Sequence, residues 1–144
     1  MNSIEKQLCD IQGRFFERSL AHGFDSCDFI CKFMNSDVAF HLDLKFDFFQ
    51  WAGEAYLLDE LCDEVRIEKT EKAFSKDALY WTGYVYRYWH YYKNLFSKEI
   101  YKIADAKTMA QVYLSYHTLD TEMAIDRLCE NADLSAGGDL SLMR

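Results

Sequence analysis

Proline is missing from all 144 residues of the chain. Because proline breaks the interior of helices and of central strands, its absence removes the main obstacle to long, uninterrupted helices. The sequence also lacks any apolar run near the roughly 18–20 residues that a membrane-spanning helix needs. Its N-terminal segment does not combine a basic stretch with an apolar core, as a secretory signal does. We therefore expect a cytoplasmic protein with no membrane partner.

Positive charge is also scarce. The chain has 16 lysine and arginine residues against 24 aspartate and glutamate residues, which gives a net charge of −8. Phosphate groups would be repelled by this excess, so nucleic acid is not expected as a partner. A protein with a basic surface would be attracted instead. The five cysteines are an odd number, which fits reduced thiols in the cytoplasm better than a disulfide framework.

Motifs for metal and cofactor binding are missing as well. The four histidines have no spacing typical of a metal motif. The sequence contains no glycine-rich phosphate loop and no nucleophile-elbow pattern. We therefore expect no cofactor, no metal and no catalytic residues in the most favoured interpretation.

What the sequence does contain is helical periodicity. Apolar residues recur at steps of three and four through most of the chain, and no segment alternates convincingly as a strand does. This pattern predicts an all-α fold, a compact bundle of about five to seven helices. We place a single helical domain at 1–131. The segment 132–144 has two adjacent glycines and no periodicity, which predicts a flexible tail.

An acidic helix is predicted at residues 46–65, which contain no arginine and no lysine. Its predicted apolar stripe consists of Phe48, Trp51, Ala55, Leu58, Cys62 and Val65. An uncompensated acidic face is most often only solvated, but it also attracts a basic partner and speeds its capture. The candidate partner-binding acids are Glu54, Asp59, Glu60 and Asp63.

Residues 78–96, "ALYWTGYVYRYWHYYKNLF", predict an aromatic helix with two different sides. On a helical wheel one broad side collects Tyr80, Trp81, Tyr84, Tyr88, Tyr91 and Leu95, which we expect to face the core. We expect Trp51, Trp81, Tyr84 and Tyr88 to be largely buried. The other side collects Gly83, Tyr86, Arg87, His90 and Asn94, which we interpret as an exposed partner-binding face. An ordinary solvated face is an equal alternative.

An alternative chemistry uses Arg87 and His90, one helical turn apart. An imidazole that moves a proton and a guanidinium that stabilises phosphate charge can cleave RNA. Small helical ribonuclease toxins separate such a pair by four to six residues, whereas here only two lie between them. A ribonuclease-like enzyme therefore ranks below a binding protein.

The segments "YWTGYVYRYWHYY" and "YHTLDTEMAIDRL" resemble a family of small bacterial proteins, and the similarity spans roughly residues 24–128. The genes of this family often lie beside genes for ADP-ribosyltransferase-like proteins. The resemblance implies an antitoxin or accessory component that neutralises such a toxin by direct contact, and it implies no catalytic residues. A stand-alone regulator of a mobile element is the other alternative.

Overall fold

A computed structural model of the chain describes residues 1–142, with side chains through residue 135. Eight α-helices follow one another within these residues. They are α1 (Ser3–Arg18), α2 (Ser26–Met34), α3 (Asp37–Asp43), α4 (Glu54–Glu64), α5 (Lys76–Lys93), α6 (Ser97–Ile103), α7 (Ala106–Tyr116) and α8 (Thr121–Leu142). The predicted all-α class is confirmed, and the number of helices is slightly higher than predicted. Extended pairing within residues 1–142 is limited to a single bridge between Phe24 and Lys69.

Helix α5 packs most extensively against α1, and the two helices pass very close to each other. A Cβ atom at Gly83 would lie 2.6 Å from the backbone oxygen of Gln12, so only glycine permits this approach. The glycine that interrupts the aromatic helix is therefore explained by the backbone of another helix. Aromatic rings of α1 and α2 fill the adjoining core, namely Phe15, Phe16, Phe29 and Phe33, all of them fully buried.

The predicted acidic helix at 46–65 is wrong in its first half. Residues Phe48–Trp51 form a short 3₁₀ turn, and α4 begins only at Glu54. Gly53 has a φ of 89°, a conformation that a continuous helix cannot contain. The side that α4 buries consists of Leu57, Leu58 and Leu61, whereas Ala55 and Cys62 of the predicted stripe are exposed. Leu58 of the predicted stripe is buried as predicted, but Ala55 and Cys62 were wrongly included because the phase of the stripe was set by residues outside the helix.

The C-terminal segment also differs from the prediction, since α8 continues through residue 142. Residues 132–142, predicted as a tail, are thus helical, while 143–144 lie outside the described residues. Flexibility of this segment stays a prediction. None of the helices described is long and apolar enough to cross a membrane.

Candidate functional site

The burial of the two sides of α5 differs from the prediction. Gly83, Tyr86, Arg87 and His90, predicted as an exposed contact face, are buried, and only Asn94 of that set is exposed. Trp81, Tyr84 and Tyr88 are half-buried rather than largely buried. The exposure predicted for the partner-binding side of α5 is therefore wrong. The physical reason lies in the partners that these polar groups find inside the fold.

Arg87 lies at the centre of a buried polar network. Its Nη1 is 2.7 Å from Oδ1 of Asp43, and the two side chains are only 2% and 1% exposed. Its Nε donates to Oε1 of Gln12 at 2.9 Å. The other carboxylate oxygen of Asp43 accepts from the backbone N–H of Ser97 at 2.8 Å. The network joins α1, α3, α5 and α6, so it fixes how four helices meet.

The side chains beside Arg87 are satisfied in the same way. The hydroxyl of Tyr86 donates to the carbonyl of Ala104 at 2.7 Å. Nδ1 of His90 lies 2.6 Å from the carbonyl oxygen of Leu95, and because a carbonyl only accepts, Nδ1 carries the proton. Burial and the Arg87 guanidinium lower the pKa of His90, against the opposing effects of Leu95 and Asp43. The ring is therefore neutral at pH 7.

This geometry does not suit RNA cleavage by Arg87 and His90. A guanidinium must reach the phosphate to stabilise its charge, but that of Arg87 is enclosed and neutralised by Asp43. Asn94 has no chemical role in this network. It ends α5 in a left-handed conformation, with a φ of 55°, which asparagine tolerates better than most residues.

A set of exposed aromatic side chains lies elsewhere, in the segment before α4 and in the first turn of α4. We call Phe46, Phe48, Trp51 and Tyr56 the aromatic corner. Phe46, Phe48 and Trp51 are 90%, 66% and 61% exposed. The rings of Phe48 and Tyr56 meet edge to face with centroids 5.8 Å apart. Phe46, Phe48 and Trp51 are also close together in the chain, and exposed large apolar groups are typical of protein interaction sites.

Polar side chains contribute to holding the corner in shape. Asp47 accepts from the backbone N–H of Phe49 at 2.9 Å and lies 3.0 Å from Nδ1 of His41. Burial would raise the pKa of Asp47, but these two interactions together lower it. The amide of Gln50 donates to the carbonyls of Leu42 and Leu44. The loop is thus fixed while its rings stay in solvent.

The predicted acids of α4 lie beside the corner. Asp59 and Asp63 are exposed, and Glu60 is half-buried. Glu54 is half-buried too and pairs with Arg18 of α1 at 3.4 Å. Among residues 1–135, no group of three or more histidine, cysteine, aspartate or glutamate side chains could hold a metal ion. The acids therefore form a charged surface next to exposed rings.

The segment "FDFFQWAG" contains a feature from which the corner could have been predicted. Its glycine marks a break before α4, and a break would have removed Phe48 and Trp51 from the helical stripe.

Searches against protein-family models, curated proteins and solved structures give no significant match to the chain. The family resemblance therefore stays a prediction.

Proposed function

We propose that the chain is a non-enzymatic protein-binding module whose contact surface is the aromatic corner together with the exposed acids of α4. The observation that carries this proposal is the exposure of Phe46, Phe48 and Trp51 in a loop that polar bonds already fix. These rings are not needed to close the core. Their exposure therefore has no explanation within the chain.

A partner that covers these rings would gain a large amount of binding free energy. Burial of one large apolar side chain contributes roughly 1.5–3 kcal/mol. Tryptophan is among the residues that most often anchor protein interfaces, and aromatic residues are enriched there. Since Asp47 and Gln50 hold the loop in place, little conformational entropy is lost on binding. The corner is therefore organised before a partner arrives.

Charge indicates what kind of partner fits. The chain carries −8 overall, and Asp59, Glu60 and Asp63 lie on the helix that follows the corner. Like charges would repel a second copy, whereas a basic surface would be attracted. The family resemblance makes an ADP-ribosyltransferase-like toxin the first candidate, and the chain would then act as its antitoxin. The location would be the cytoplasm.

The test is binding kinetics between the purified chain and a candidate partner, an ADP-ribosyltransferase-like protein of the kind that the resemblance implies. Trp51→Ser should weaken binding by about 30-fold or more, as expected when an anchor worth roughly 2 kcal/mol is lost. Leu114→Ser is the matched control, because Leu114 is 80% exposed on α7. Equal loss in both variants, or no complex at all, would contradict the proposal.

Two further variants separate charge from contact. The pair Asp59→Lys and Glu60→Lys should slow association, mostly at low salt. Glu68→Lys with Glu71→Lys is the control with the same change of charge, at two exposed positions of the 65–75 connection. Sedimentation should show a monomer. A dimer that dissociates in Trp51→Ser would assign the corner to self-association instead.

A further inference from the structure

A cleft between the N-terminal part of α5 and the end of α7 is lined mostly by aromatic rings. It has a volume of about 300 Å³. Its lining residues are Glu17 of α1, Asp77, Tyr80 and Trp81 of α5, Tyr113 of α7, and His117 directly after α7. We call it the α5–α7 cleft. It shares no residue with the buried network around Arg87 or with the aromatic corner, so it has no role assigned so far.

Two of these rings form walls that meet at a steep angle. The centroids of Trp81 and Tyr113 are 5.7 Å apart, and the planes of the two rings are inclined by 69°. The ring of His117 stacks on that of Tyr113 with centroids 4.6 Å apart. Nδ1 of His117 lies 2.8 Å from the carbonyl oxygen of Tyr113, and because a carbonyl only accepts, Nδ1 donates. Contacts within the chain thus hold these rings in place.

Negative charge lies beside these rings and is not compensated locally. Glu17 is half-buried and Asp77 is exposed, and neither forms an ion pair with any residue whose side chain is described. The two arginines nearest to Glu17 in α1 pair elsewhere, Arg14 with Asp10 at 2.8 Å and Arg18 with a glutamate of α4 at 3.4 Å. Within residues 1–135, no lysine or arginine lines the cleft. The cleft therefore combines aromatic rings and two carboxylates with no cation of the chain among them.

We infer that the α5–α7 cleft binds a small molecule that carries a trimethylammonium group. A cation is attracted to the faces of tryptophan and tyrosine rings, and quaternary ammonium groups are bound by several such rings together. A trimethylammonium group has no N–H donor, so aromatic walls can cover it without leaving a hydrogen bond unmade. The carboxylates of Glu17 and Asp77 add attraction for its positive charge. A volume of about 300 Å³ is at the lower end of the range for small-ligand sites, which suits a single headgroup.

The probe is choline, which is added to the chain at low ionic strength while the indole N–H signals are followed by NMR. We expect a saturable shift of the Trp81 signal, with the signals of Trp51 and Trp89 unchanged. Tyr113→Leu should weaken choline binding about two- to five-fold, which is the range for an exposed cation–π contact. Tyr113→Phe is the matched control because it keeps the ring and should bind choline as the wild type does.

Charge is tested with the neutral analogue of choline in which a tert-butyl group replaces the trimethylammonium group, and this analogue should bind at least about two-fold more weakly. Asp77→Asn should weaken choline binding, whereas Asp59→Asn, which loses the same charge at an exposed site of α4, should not. Equal binding of the two ligands, equal affinity in all variants, or absence of a saturable Trp81 shift would overturn the inference. So would a Trp51 shift as large as that of Trp81, since it would mean unspecific contact with exposed rings. The cleft shares no residue with the corner, so this experiment can fail without affecting the proposed function.

Discussion

Asp43 and Phe46 are three residues apart in the chain and lie in opposite environments. The carboxylate of Asp43 is 1% exposed, whereas the ring of Phe46 is 90% exposed. In most proteins the charged group would be outside and the ring inside. The buried charge is explained by partners within the chain, since Arg87 and Ser97 satisfy it. The exposed ring has no such partner, and for this reason we look for one outside the chain.

The comparison separates residues that stabilise the fold from residues that are available to bind a partner. The network around Asp43 joins four helices, so changes there should unfold the protein. The aromatic corner is held by Asp47 and Gln50, so changes to its rings should leave the fold intact. Each prediction below tests one side of this difference.

The largest effect is expected from Asp43→Ala. The substitution leaves the Arg87 guanidinium buried without its counter-charge, which typically destabilises a protein by about 3–5 kcal/mol. Urea unfolding measures the loss. The double variant with Arg87→Met should recover part of it because no charge is left unpaired. A loss below about 1 kcal/mol for Asp43→Ala would show that the network does not hold the helices together.

A smaller effect is expected from Gly83→Ala. The new Cβ would lie 2.6 Å from a backbone oxygen of Gln12, so α1 and α5 must separate. Overpacking of this kind costs about 1–3 kcal/mol, although alanine returns roughly 1 kcal/mol through its higher helix propensity. Gly13→Ala should cost less, because its nearest contact is the half-buried ring of Tyr80. Thermal unfolding of the two variants checks this order, and the opposite order would contradict it.

A pH-dependent effect, smaller again, is expected from His90. Burial and Arg87 lower the pKa of this imidazole, so the unfolded chain binds its proton more readily than the folded chain does. Stability from His90 is therefore complete above about pH 6.5 and declines as the pH falls below that value. The difference in unfolding free energy between pH 8 and pH 5 should shrink in His90→Gln.

The smallest effect on stability is expected at the corner itself. Phe48→Ser and Trp51→Ser should change the free energy of unfolding by less than about 0.5 kcal/mol, as ordinary surface substitutions do. A comparable substitution in the core, such as Phe16→Ser, should strongly lower the free energy of unfolding because that ring is fully buried. A corner variant that unfolds like a core variant would mean that the rings support the fold.

The all-α class could be predicted because missing proline and helical spacing are local properties of the sequence. The orientation of α5 could not be predicted by the same reasoning, which assigned aromatic residues to the core and polar residues to the surface. Arg87 is buried because Asp43 lies beside it, and Asp43 is 44 positions earlier in the chain. Tyrosine suits a half-buried position since its hydroxyl can reach a carboxylate, as Tyr88 does with Glu122. The acids Asp59 and Asp63 were correctly expected on a helix surface.

The most direct test of the account is the indole N–H signal of Trp51 on addition of the proposed partner, an ADP-ribosyltransferase-like protein. NMR resolves this signal from those of Trp81 and Trp89, and Trp51→Phe assigns it. In the free chain we expect the Trp51 indole to exchange rapidly with water, and that of the fully buried Trp89 slowly. On binding, the Trp51 signal should shift and its exchange should slow, while Trp89 stays unchanged. A complex in which the Trp51 signal keeps its free position and exchange rate would contradict the aromatic corner as the contact surface.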